Sequence, residues 1–194
     1  HLPPVSIDYG HSSLKLTLGQ PVSLMPRLNG SVATNWSVEP GFPAGISLGP
    51  MGQISGSPEI VATSEIYTIE ASNSGGSVQT SLILEVEDIP VWDLDYEELT
   101  FDLSIGDIIS GIFPSWGGGV PTSWEIFPPL PPGFFFSNSN GEIYGEAEEV
   151  QEWTNHTVWA NNSGGGDSTE LSYKVISQPP GMLHWESSLS LIHI

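Results

Sequence analysis

Carboxylates crowd the middle of this chain. Glu85, Glu87 and Asp88 run up to Ile89-Pro90-Val91-Trp92, and Asp93 and Asp95 follow directly. At alternate positions of an extended segment such side chains share a side, so their oxygens can converge on one hard cation, which takes about six to eight oxygen ligands. Glu87, Asp88, Asp93 and Asp95 are the metal-ligand candidates on that reading. The competing reading is an acidic hinge whose charges are simply solvated. Catalytic chemistry finds less to work with. The histidines, His1, His11, His156, His184 and His193, are scattered, and spacing nominates neither a nucleophile with its base nor a matched carboxylate pair. The expectation is a non-enzymatic protein with no catalytic residue. Cysteine is absent, which removes disulfides and thiolate metal sites. Gly117-Gly-Gly119 and Gly164-Gly-Gly166 lack the lysine that follows the glycines of a phosphate-binding loop, and read as neutral turns.

The charge balance narrows the partners. With 23 Asp and Glu against 3 Lys and Arg, the 194-residue chain carries a net charge of −20. Lys15, Arg27 and Lys174 are too few and too far apart to make the cationic footprint that nucleic acid requires, and an anionic membrane would repel the surface. No apolar run approaches membrane-spanning length. The start at His1, without an initiator Met or a signal-peptide pattern, reads as an arbitrary cut.

The elements that would hold these residues come in two copies. Trp36-Ser-Val-Glu-Pro-Gly-Phe-Pro-Ala-Gly45 returns about 88 residues later as Trp124-Glu-Ile-Phe-Pro-Pro-Leu-Pro-Pro-Gly133. Gly52-Gln-Ile-Ser-Gly56 returns as Gly141-Glu-Ile-Tyr-Gly145, and Ala71-Ser-Asn-Ser-Gly-Gly76 as Ala160-Asn-Asn-Ser-Gly-Gly165. Tyr9 and Gly19 are echoed by Tyr96 and Gly106. A period of that length is a whole small domain. The expected organisation is one unit over 1–88 and a second over 89–178. Residues 179–194 read as the start of a third, because Met182-Leu-His-Trp185 falls where Leu94-Asp-Tyr96 would recur. Leu189-Ser-Leu-Ile-His-Ile194 spells the translation of a sequencing adapter, and 189–194 are expected to add nothing to the fold.

Within each unit the apolar residues alternate. Leu14, Leu16 and Leu18 share a face, as do Tyr67, Ile69 and Ala71, then Leu82, Leu84 and Val86, with Leu103 and Ile105, and Tyr173 and Val175, as counterparts. Clusters rich in Gly, Pro, Asn and Ser separate these runs, at Pro40 to Gly45, Ser72 to Ser77, Trp116 to Thr122, Pro128 to Gly133 and Ser137 to Gly141. With 22 Gly and 17 Pro, few windows could sustain a helix. The fold expected is all-β, two tandem sandwiches of about seven short strands each. Trp36 and Trp124 recur with the framework and are expected in the core; Trp92, Trp116, Trp153 and Trp159 lack aromatic counterparts and are the candidates for an exposed surface. Asn29, Asn35, Asn155 and Asn161 each open an Asn-x-Ser/Thr acceptor pattern.

Read in order, Trp-Ser-Val-x-Pro-x-Phe/Leu-Pro-Ala/Pro-Gly, Gly-x-Ile-x-Gly and Tyr-Thr-Ile-x-Ala-x-Asn-Ser-Gly-Gly resemble the immunoglobulin-like repeat of prokaryotic surface proteins, one of the cadherin-like sandwiches. The second unit departs from the pattern at His156, in the Tyr67 position, and at Tyr144, in the Ser55 position. The resemblance implies a non-enzymatic spacer or adhesion segment of an extracellular, multi-repeat surface protein. Its partners would be neighbouring repeats of the same chain and a cell-surface protein or glycan. The alternative it leaves open is an accessory, carbohydrate-binding domain pair of a large secreted enzyme whose catalytic part lies elsewhere. It also implies that the cation shared by Glu87, Asp88, Asp93 and Asp95 would be calcium, no other cofactor being expected. Asn73 and Asn162, however, stand where the family's calcium-binding Ala-x-Asp-x-Gly has its Asp.

Overall fold

The computed structural model describes residues 2–177. The third unit expected over 179–194, with the stretch 189–194, lies outside the described residues. Among those residues every regular element is a strand. Nine come first: β1 (Pro4–Asp8), β2 (Ser13–Thr17), β3 (Val22–Leu24), β4 (Arg27–Gly30), β5 (Asn35–Glu39), β6 (Ile46–Leu48), β7 (Ile54–Gly56), β8 (Ala62–Asn73) and β9 (Gly76–Glu87). The next nine repeat them one for one: β10 (Val91–Tyr96), β11 (Thr100–Ser104), β12 (Ile108–Ile112), β13 (Pro114–Gly118), β14 (Ser123–Phe127), β15 (Phe134–Phe136), β16 (Ile143–Glu146), β17 (Gln151–Asn162) and β18 (Gly165–Ile176).

Each set builds the same three sheets. The first has a four-stranded sheet in the order β2-β9-β8-β5, a three-stranded sheet β3-β7-β6 and the pair β1-β4; the second has β11-β18-β17-β14, β12-β16-β15 and β10-β13. In both, the first strand of the four-stranded sheet runs parallel to the last, Lys15 opposite Glu85 and Asp102 opposite Lys174, and the pairings around it are antiparallel. By internal contacts the chain resolves into two compact units. One comprises 1–93 with 116–123 and 160–167; the other comprises 94–115, 124–159 and the described residues from 168 on. That grouping does not follow the strand repeat, because the segments 116–123 and 160–167, strand ends with the turns beside them, carry hydrogen bonds to Asp88 and Ile89.

The period-two pattern becomes burial. Tyr67, Ile69 and Ala71 of β8 and Leu82, Leu84 and Val86 of β9 are buried, as are His156, Val158 and Ala160 of β17 and Leu171, Tyr173 and Val175 of β18. Ile7, Tyr9, Ile46 and Ile54 close the first core from the other sheets. Two expectations need correction. Nine strands form per set, not seven, because the three-residue strands β3, β6 and β7 and their counterparts are hidden among Gly, Pro and Ser. The stretch read as a loop from Trp116 likewise opens inside β13. Trp124 is buried, 3% exposed, whereas Trp36 is only half-buried at the edge of the first core.

The echoed residues meet in space. Tyr9 donates its hydroxyl to the Gly52 carbonyl at 2.6 Å, and Tyr96 does the same to Gly141 at 2.5 Å. The indole of Trp36 lies against Gly52 and that of Trp124 against Gly141; a Cβ on either glycine would come within 2.6 Å of the ring, and both have positive φ, +79° and +72°. Three motifs far apart in sequence are thus one corner, built twice. Burial pushes the Tyr9 hydroxyl up to about 12 and raises that of Tyr96 as well.

Candidate functional site

The acidic residues are distributed over several local roles. Glu87 ends β9, and its carboxylate takes the Lys15 ammonium, with Glu85 at 3.9 Å from the same nitrogen. The hydrogen bond to Glu87, then the two negative charges, raise the Lys15 pKa. Asp88 accepts the amide of its neighbour Ile89 at 2.8 Å, and Asp95 that of Tyr96 at 2.9 Å. Asp93 lies exposed in β10 with φ 51°, the one non-glycine in the left-handed region among the described residues. No group of three or more His, Asp or Glu side chains placed to hold a metal ion occurs among the described residues, so Glu87, Asp88, Asp93 and Asp95 are not gathered into one.

Asn73 and Asn162 explain themselves. The side-chain oxygen of Asn73 accepts the Gly75 amide at 2.7 Å and turns β8 into β9, while its amide donates to Leu2 O at 3.0 Å and Val32 O at 3.1 Å. Asn162 accepts from Gly164 at 2.9 Å and donates to Ile89 O at 2.7 Å. Leu2 and Ile89 each precede a proline at the entry to a repeat, so one amide side chain both makes the hairpin turn and clamps the incoming strand. An aspartate could do only the first, having no donor when ionised. The repeated Asn-Ser-Gly-Gly was visible in the sequence; its second partner was not, since nothing local points to Leu2 or Ile89.

The tryptophans divide. Trp92, 48% exposed, lies over Gly117 and Gly118, which gives those glycines a packing reason: a Cβ on Gly117 would come within 2.2 Å of the indole nitrogen. Trp153, also 48% exposed, carries Lys174 at 5.7 Å from its ring, and Lys174 in turn reaches Asp102 at 3.8 Å. Trp116 is exposed and Trp159 half-buried.

Sequence reasoning assigned no role to His156. It is fully buried, its Nδ1 is 2.8 Å from the Pro128 carbonyl, and its Nε2 has no partner among the described residues. Its ring meets Tyr173 edge-on at 5.5 Å; Tyr173 also stacks on Phe101 at 4.5 Å, and its buried hydroxyl is likewise unpartnered. Desolvation, then the charges of Tyr96 and Glu98, raise the pKa of that hydroxyl.

In each set a four-stranded sheet with a parallel first-to-last pair accompanies a tyrosine–tryptophan corner. Residues 4–87 match the family model of the putative Ig domain. The second set of strands repeats that strand order, and the register of the parallel first-to-last pair, one for one. Among solved structures the chain is similar to titin domains A168–A170, at 18% identity with a TM-score of 0.54, over 92% of this chain and 68% of that one. It is also similar to Sidekick-1 immunoglobulin domains 1–4, at 16% identity and TM-score 0.48, over 90% of this chain and 49% of that one. A further likeness is to extracellular domains 3–5 of Drosophila OTK, at 14% identity and TM-score 0.48, covering 88% and 61%. No curated protein matches the chain. The titin likeness supports the fold, a tandem of Ig-like sandwiches, and nothing finer.

Proposed function

We propose that the chain is a non-enzymatic spacer or adhesion segment of an extracellular, multi-repeat surface protein. One observation carries the reading: the polar side chains that recur between the repeats, Tyr9 with Tyr96 and Asn73 with Asn162, are all engaged in holding backbone carbonyls. What is repeated is architecture. The net charge of −20 suits a module that stays soluble at the outside of a cell.

A second reading, an accessory domain pair of a secreted enzyme, is favoured by the half-exposed indoles of Trp92 and Trp153, which could stack on a sugar. The complete gene separates the two. Repeats of this kind continuing towards a surface anchor, with the protein removed from intact cells by external protease, is the expected result. A catalytic domain on the same polypeptide would overturn the spacer reading.

A further inference from the structure

The second repeat departs from the first on one surface, and strand register identifies the departures. Phe101 and Asp102 of β11 sit opposite Tyr173 and Lys174, as Leu14 and Lys15 of β2 sit opposite Leu84 and Glu85. Ile109 faces Gly145 as Val22 faces Gly56, which places Ile108 where the first repeat has Pro21. Phe135 pairs with Tyr144 where Ser47 pairs with Ser55. A lysine, a proline and two serines thus give way to Asp102, Ile108, Phe135 and Tyr144.

These residues adjoin one another. The strands β11 and β12 each lie at the edge of a sheet, and between them opens a groove of about 300 Å³ lined by Phe101, Leu103, Ile109 and Ile112, with Glu98 and Asp102 beside them. Ile108, 70% exposed, lines the groove and sits opposite Glu146 on the next strand. Two residues along β16 from Glu146, the rings of Phe135 and Tyr144 stack across the strands at 5.5 Å and 26°, both open to solvent. Glu142 and Glu146 flank Tyr144 at alternate positions of the same face. Lys174, the one Lys or Arg among the described residues of the second repeat, is engaged with Asp102.

We propose that this surface of the second repeat binds an extended basic segment of another polypeptide, with apolar side chains in the groove and an arginine lying over the Phe135–Tyr144 pair. A guanidinium is planar and weakly hydrated, so it stacks on an exposed aromatic face and forks to a carboxylate at its rim. Glu142 and Glu146 supply that rim, Glu98 a third carboxylate at the groove. Edge strands offer backbone N–H and C=O groups to an extended chain, and a strongly acidic protein draws a basic partner while repelling acidic ones. The first repeat, with Lys15, Pro21, Ser47 and Ser55 in these places, has the same framework but lacks the aromatic pair and its flanking carboxylates. Recovery of a catalytic domain in the gene would overturn the spacer reading and leave this binding untouched.

The test is a titration of the chain, followed by backbone amide NMR, with the peptide acetyl-Arg-Val-Arg-Val-Arg-Val-amide and its Glu-for-Arg counterpart. The arginine peptide should shift amides of β11, β12, β15 and β16 saturably, leave β2, β3, β6 and β7 still, and bind more weakly as salt rises; the glutamate peptide should shift none. Phe135→Ser with Tyr144→Ser, which installs the first repeat's own pair, should weaken binding about two- to fivefold for each aromatic face removed. Glu142→Gln with Glu146→Gln should weaken it and flatten the salt dependence. Shifts spread evenly over both repeats, or binding that neither double variant alters, would overturn the proposal. So would cellohexaose moving the Phe135 and Tyr144 signals when the peptide does not, or self-association of the chain that Phe135→Ser abolishes.

Discussion

The two repeats agree at the side chains that clamp backbone at the corner and the hairpin, and differ most where a few large core side chains pack against one another. Tyr9 and Tyr96 hold the same glycine carbonyl, and Asn73 and Asn162 the same incoming strand. The cores keep Ile54 as Ile143, Ala71 as Ala160 and Leu82 as Leu171, but exchange their large residues. In the first, Phe42 leans on Tyr67 at 5.1 Å, and Leu84 and Ile46 fill the floor. In the second, His156 takes the Tyr67 position and Tyr173 the Leu84 position, with Phe101 and Phe134 in contact with Tyr173. Even the exposed ion pair is inverted, Lys15 with Glu85 against Asp102 with Lys174. A hydrogen bond to one carbonyl has a single geometric solution, whereas a core constrains only total volume and shape, so size can move from one position to another.

The sharpest way to test that contrast is at the corner both repeats share. Trp124→Ala should cost about 3–5 kcal/mol, and Trp36→Ala about 2, because Trp36 is partly exposed where Trp124 is buried. Hydrogen exchange of β8 with β5 against β17 with β14, read in the whole chain, reports each repeat separately. Equal losses would mean that the partial exposure of Trp36 has no energetic meaning.

The exchanged core residues give the next effect. His156→Tyr alone forces a larger ring beside Tyr173, and Tyr173→Leu alone leaves a hole beside Phe101; each should cost about 1–3 kcal/mol. Together they install the first repeat's pair, and the double variant should be more stable than the sum of the singles by about 1 kcal/mol or more in a double-mutant cycle. Strict additivity would show that the two positions do not compensate one another.

How much of this the sequence shows follows from the same contrast. Strand alternation, the tryptophans and the motif glycines are legible because each answers a local demand of the backbone, such as the positive φ of Gly52 and Gly141. The three-residue strands escape because nothing in Ile46–Leu48 alternates long enough to register. The second partner of Asn73, the stacking of Phe135 on Tyr144 and the burial of His156 depend on which strands become neighbours, and pairing register is not written in any one segment. The acidic run was legible as charge, but not as geometry: Asp88 and Asp95 turn an oxygen to the next residue's amide.

A smaller effect belongs to the asparagines. Asn73→Asp or Asn162→Asp keeps the acceptor that makes the hairpin turn and loses the donor to Leu2 O or Ile89 O, at about 1–2 kcal/mol in either repeat. The new carboxyl can donate only when protonated, so its folded pKa should lie above its unfolded one. The recovered stability should then be present at acid pH and lost as pH rises through the folded pKa, which thermal melts across that range would reveal. A loss in one repeat alone would break their equivalence at the clamp.

Calcium should have the smallest effect. A site with a Kd on the order of 10⁻⁴ to 10⁻³ M would add about 0.4–1.4 kcal/mol at 1 mM calcium through RT ln(1 + [L]/Kd). Glu87 is already engaged by Lys15, and no metal-holding group of acidic side chains is assembled among the described residues. Bringing Glu87, Asp88, Asp93 and Asp95 together would require breaking those contacts and crowding four negative charges before any ligation is gained. Melting with and without 1 mM calcium should therefore shift stability by less than about 0.4 kcal/mol, and Asp93→Asn with Asp95→Asn should change nothing in that comparison. A rise of about 1 kcal/mol that the double variant removes would restore the calcium reading and show that the ion itself gathers the ligands.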